Sequence, residues 1–202
     1  MSRSGRSYDR LDYVLIAAAV VYLIWVGLIG TGAGGHATAD LVFEGRPWLL
    51  LTSSLDITPG FEWAQWLLLA GATAAVVCRL GPRIWWVVVI AGHLGAALVS
   101  YTVIEIATQA GSESARTSAD QADFGISIVL AASLGALTAS GLTAGGPTTG
   151  ADRLALVAGL LGLAGMAAFS VGWYDIQHLI GYAIGFFVAR YLVGPARAGE
   201  PG

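Results

Sequence analysis

ADFGISIVLAASLGAL, residues 122–137, passes without a break from a polar segment into a long apolar run and sets a serine two residues after a glycine. Within it Ser127, Ala131, Gly135 and Ala139 recur every four positions, so on a helix they form one stripe of small side chains. In lipid such stripes matter, because helix association there rests on close van der Waals contact and not on the hydrophobic effect. The stretch therefore predicts a membrane-embedded helix packed tightly against a partner, with Ser127 in its first turn.

The rest of the chain fits that environment. Its 202 residues are 56% hydrophobic and 11% charged, with a mean hydropathy of +0.71, a composition of polytopic membrane proteins. A span takes roughly 20 apolar residues, and six stretches approach or reach this: residues 13–29, 63–78, 84–104, 124–142, 154–171 and 176–189. The expected fold is all-α, a six-helix membrane domain over residues 1–193, followed by a Gly-, Pro- and Ala-rich tail, 194–202, read as disordered. The second and sixth stretches are short, and a helix that starts below the membrane surface leaves a water-filled depression above it. The first stretch is longer than the apolar region of a signal peptide and is read as a retained helix.

Ten arginines, no lysines and a net charge of -3 leave no basic surface for nucleic acid. Cys78 is the one cysteine and reads as a small buried hydrophobe. No metal-ligand cluster, phosphate loop or internal repeat occurs, so no cofactor is expected. Positive flanks resist translocation. Placing the N-terminus inside puts Arg3, Arg6, Arg10, Arg79, Arg83, Arg153, Arg190 and Arg197 on the cytoplasmic side and leaves Arg46 and Arg116 outside. Both termini are then cytoplasmic. The first outside connection contains PWLLLTSSL, residues 47–55, read as an interfacial segment with Trp48 at headgroup depth. Trp63, Trp66, Trp85, Trp86 and Trp173 fall near expected helix ends and read as an interfacial aromatic belt.

Polar residues inside a membrane are expensive and tend to be functional. Ser127 and His178 fall in the first turns of the fourth and sixth expected helices, both starting outside, and so lie at one depth. Gly181, Gly185 and Ala189 continue the face of His178 as a second small stripe. If the stripes face each other, Ser127 meets His178 and an imidazole base stands beside a hydroxyl nucleophile. Gln65, in the first turn of the second helix, and the amides at the start of the fourth, around Gly125, are candidate donors to an oxyanion or positioners of substrate. Asp175 reads as an N-cap of the sixth helix or as a hydrogen-bond partner of His178, with the cap the plainer, and Asp123 as an N-cap; His93 reads as an interhelical hydrogen-bonding residue in preference to a proton relay, and Glu105 as a residue reaching the interface.

Around Gly125-Ile126-Ser127 and His178-Leu179-Ile180-Gly181-Tyr182-Ala183-Ile184-Gly185 the chain resembles the rhomboid family of six-helix intramembrane serine proteases. The family carries Gly-x-Ser-Gly at the start of helix four and His-x-x-Gly-x-x-x-Gly on helix six. The resemblance implies Ser127 as nucleophile and His178 as base. DFGIS, residues 123–127, is similar to the Asp-x-Gly-x-Ser stretch of divergent bacterial rhomboid-like proteins, which implies the cytoplasmic membrane of a bacterium. RPWLLLT, residues 46–52, resembles the family's Trp-Arg motif, with Trp48 matching and Leu49 in place of the arginine. Ile128 replaces the motif's second glycine, Ala131 stands where a tyrosine often supports the histidine, and the family's His-x-x-x-Asn falls on Phe61 and Gln65.

Three functions stay open on this basis. One is a serine endopeptidase that cuts transmembrane protein substrates near the outer surface of the lipid bilayer. The second is an inactive rhomboid-like protein that binds transmembrane segments. The third is a small transporter or structural bundle.

Overall fold

A computed structural model describes residues 7–29, 37–57, 62–121, 123, 125–142, 149–169 and 173–193, with the backbone alone for 29, 166–169 and 173–175. Its described residues are helical apart from turns and a single antiparallel bridge between Ala37 and Asp123. The long helices are α1 (Arg10–Ile29), α4 (Glu62–Leu80), α5 (Pro82–Gln109), α7 (Ile126–Gly141), α8 (Gly150–Phe169) and α9 (Trp173–Val193). Short helices fill two connections: α2 (Ala39–Phe43) and α3 (Leu49–Thr52) with a 3-10 turn at Ser53–Leu55, and α6 (Glu113–Ala119). Among the described residues α1, α4, α5 and α9 are long and apolar enough to cross a membrane, while α7 is apolar but shorter.

That last fact differs from the sequence expectation. The shortening falls on α7, with 16 residues, whereas α4 and α9 have 19 and 21. The physical reason is local: Asp123 and Gly125 spend their N–H groups on Ala37 O and Ser53 O, 2.9 and 3.1 Å away, and so stay outside the helical ladder.

α7 is the axis of the bundle. α4, α5, α8 and α9 all pack on it, and α9 lies in the groove between α7 and α5. α1 packs outside α4 and α5, held by Trp66 Nε1–H donating to Leu23 O at 2.8 Å and Trp86 Nε1–H to Leu15 O at 3.0 Å. Trp85 is fully buried and donates to Ser133 Oγ at 3.2 Å. These three tryptophans bind helices together, which corrects their reading as an interfacial belt; Trp48 and Trp63 do stand exposed. The indole N–H explains the difference, since a backbone carbonyl of a neighbouring helix satisfies it as well as a headgroup does.

Gly81 makes the tight reversal between α4 and α5. Its φ of +99° is open to glycine at little cost, and Pro82 then opens α5 where no amide donor is missed. One end of the bundle gathers the described arginines of the helix ends: Arg83 pairs with Asp9 and Asp12, Arg79 with Asp152, and Arg190 donates to Leu142 O. The first connection and α6 lie at the other end, with Ser127 and His178.

Candidate functional site: a serine and a histidine at the head of an apolar cleft

Ser127 Oγ lies 2.7 Å from Nε2 of His178. A hydroxyl that donates to Nε2 needs the tautomer protonated on Nδ1, and in that form the ring nitrogen is placed to take the serine's proton. Both residues are half-buried and open into one cleft of about 1120 Å³ that also takes in Gln65. Its walls come from α4 (Leu68, Ala72), α7 (Leu130, Leu134) and α8 (Leu154, Leu161). α4 and α8 each pack on α7 but barely on each other, which is why the space exists. Arg79 and Cys78 line the opposite end. Cys78 is exposed, which corrects its reading as a buried hydrophobe: its helix face is the one that α8 leaves uncovered.

Two close approaches fix the distance between α7 and α9. A Cβ on Gly185 would fall 2.1 Å from Ala132 O, and one on Gly135 2.1 Å from Tyr182 O. A Cβ on Gly181 would meet Cγ2 of Ile128 at 2.8 Å. The contact stripe of α7 therefore runs through Ile128, Ala132 and Gly135, one residue round from the expected Ser127–Ala131–Gly135–Ala139 line. Ala131 is buried but is not part of the α9 contact shown by these glycines, and Ser127, freed from the packing seam, faces the cleft. Ile128 is fully buried and fills the hollow that Gly181 leaves, away from the cleft.

The first connection holds the start of α7 from outside. Gly125 N–H donates to Ser53 O and Ile126 N–H to Asp56 O, at 3.1 and 3.4 Å, which satisfies two donors that a helix start leaves over. A Cβ on Gly125 would lie 2.3 Å from His93 Cε1. His93 in turn lies with Nε2 2.6 Å from Leu50 O; a carbonyl only accepts, so this nitrogen carries the proton. Gly125 was expected to help position substrate or an oxyanion. Its amide is instead engaged by Ser53 and it stands behind the cleft, where its missing side chain lets His93 and the 3-10 turn close on α7.

Asp123 does not cap α7, whose N-cap is Gly125 with no side-chain bond. Its Oδ2 accepts from Tyr101 O–H at 2.7 Å and its Oδ1 from Gln177 Nε2–H at 2.8 Å. Burial pushes its carboxyl up to about 6 although both donors favour the charged form. Sequence reading missed Gln177 and Tyr101. The available signal was the position of Gln177 beside His178, a second polar residue in an apolar helix turn. Asp175 falls inside the first turn of α9 and not ahead of it, and its side chain and all of Phe61 lie outside the described residues. Glu105 accepts from Gln109 Nε2–H at the exposed C-terminal end of α5.

Among the described residues no three His, Cys, Asp or Glu side chains gather as metal ligands. No protein-family model, curated protein or solved structure matches the chain. The site is accordingly read from its own geometry.

Proposed function

We propose that the chain is a rhomboid-like intramembrane serine endopeptidase that cleaves membrane-anchored protein substrates. The observation that carries this reading is the 2.7 Å approach of Ser127 Oγ to His178 Nε2 at the head of an apolar cleft. In the proposed reaction Ser127 Oγ attacks a peptide carbonyl as its proton passes to His178 Nε2. His178 then protonates the leaving amine, and water, deprotonated by the same nitrogen, releases the acyl group from Ser127. Gln65, on the α4 wall of the same cleft, offers its side-chain NH2 to the developing oxyanion.

In this reading the six long helices all reside in the bilayer of a bacterial cytoplasmic membrane, with the arginine-rich end cytoplasmic and the dyad near the outer surface. The apolar walls give a substrate's transmembrane segment a surface as greasy as the lipid it leaves. Those same walls favour a second reading, an inactive protein that holds transmembrane segments in the cleft without cutting them.

One experiment divides the two. The detergent-solubilised protein is treated with a fluorophosphonate probe and offered transmembrane peptides. The protease is expected to label and cleave, with both signals lost in Ser127→Ala and lowered at least about 100-fold in His178→Ala. Labelling that persists in Ser127→Ala, or neither labelling nor cleavage in the wild type, removes the protease reading.

A further inference from the structure

Asp123 is an acid in a place where packing alone does not call for one. It is 5% exposed, and its partners Tyr101 and Gln177 are 0% and 1% exposed. Both carboxylate oxygens are taken, by Tyr101 on α5 and Gln177 on α9, and its N–H donates to Ala37 O in the first connection at 2.9 Å. Taking a carboxylate out of water is costly, and apolar side chains of the same volume hold helices together at least as well. What a doubly hydrogen-bonded carboxylate adds is direction.

That direction bears on the candidate site. Asp123 stands four residues before Ser127, and Gln177 is the neighbour of His178. One carboxylate thus ties the segment that leads into the serine to the residue beside the histidine. A helix side chain reaches ~6 Å from the axis, so a turn of ~20° would carry the ring by about 2 Å. A displacement of that size breaks a 2.7 Å contact.

We propose that Asp123 is a positioning residue for the Ser127–His178 pair. Through Gln177 it sets the rotation of the second turn of α9, so that His178 Nε2 faces Ser127 Oγ, and Tyr101 fixes the plane of the carboxylate. This inference rests on the reading of the pair as a proteolytic dyad.

The test compares full-length wild type, Gln177→Leu, Asp123→Leu, Asp123→Asn and Tyr101→Phe in detergent. The rate of fluorophosphonate labelling, kcat and KM on a transmembrane peptide, and the thermal melt are measured for each. Gln177→Leu and Asp123→Leu are expected to lower the labelling rate and kcat together by about 10- to 100-fold, with KM within about twofold. A protein carrying both Gln177→Leu and Asp123→Leu, measured alongside, should be no slower than the slower single variant, because both remove one link. Asp123→Asn can still accept from one partner and donate to a reoriented Gln177, so it should recover at least about tenfold over Asp123→Leu. Should the leucine variants fail to fold, Tyr101→Phe, which keeps the ring, carries the test with an expected loss of about fivefold or more in kcat. Folded variants that label and turn over at the wild-type rate overturn the positioning role while the protease reading stands. A wild type that neither labels nor cleaves overturns both.

Discussion

Asp123 is pulled in two directions. Its two donors favour the carboxylate, burial favours the acid, and burial wins, raising the group from 3.8 to about 6. A folded-state value above the unfolded one means that the native protein binds the proton more tightly. The associated stability is fully present below about pH 3.8 and is lost as pH rises through about 6. The gap corresponds to about 3 kcal/mol at most. Melting in detergent should therefore show Asp123→Asn gaining on the wild type between pH 4 and 7 by up to about that amount, and a constant difference across the window would count against it. Asp40 is raised in the same direction, by burial and by Asp120 beside it, so the comparison of variants and not the wild-type curve isolates Asp123. Ser127 and His178 were legible in the sequence because each is a polar residue near the start of an apolar run, which is a local property. The partners of Asp123 were not. Tyr101 and Gln177 reach it from sequence distances of 22 and 54, and a carboxylate just ahead of a helix looks like a cap whichever way it points.

Between elements, the seam of α7 and α9 has no slack. At Gly185 the facing atom is the carbonyl of Ala132, which belongs to a helix ladder and yields little. Gly185→Ala is expected to push α9 outward and cost about 1–3 kcal/mol, with a matching fall in fluorophosphonate labelling. Gly71→Ala, on α4 where nothing lies within 4 Å of the added carbon, should not lower the melt, since alanine favours a helix over glycine. Equal effects from the two substitutions would show that the seam is not the tight contact described. The small stripes announced this seam in the sequence, but with its phase one residue out. Periodicity says that small residues share a face; it does not say which edge of that face a neighbour chooses. The choice was made by Ile128, whose side chain needs the hollow at Gly181 and so turns Ser127 toward the cleft.

Across the whole molecule, the cleft has Ser127 and His178 at one end and Arg79 at the other. Arg79 reaches from α4 to Asp152 Oδ1 on α8 at 2.6 Å and to Ser140 Oγ on α7 at 2.9 Å. The two charged side chains are 22% and 12% exposed. Removing one partner strands the other in a half-buried setting, whereas replacing both with apolar groups does not. Arg79→Ala is expected to lower stability by roughly 1–3 kcal/mol and to speed amide exchange in α8, and Arg79→Met with Asp152→Leu to restore much of it. Exchange in α8 that stays at the wild-type rate in Arg79→Ala would show that this pair does not hold the helix. Composition made the long apolar helices readable. The cleft was not readable, because it depends on α4 and α8 barely packing on each other, and no residue encodes a missing contact by itself.

The support of the α7 start by residues 53–56 also orders events in time. Ser53 O and Asp56 O hold the amides of Gly125 and Ile126, and the chain that supplies them leaves the ribosome well before α7 does. The residues that supply these two carbonyls are therefore made before the serine, while His178 follows only with α9. If Ser127 and His178 act as proposed, a nascent chain that has not yet added α9 holds no assembled pair.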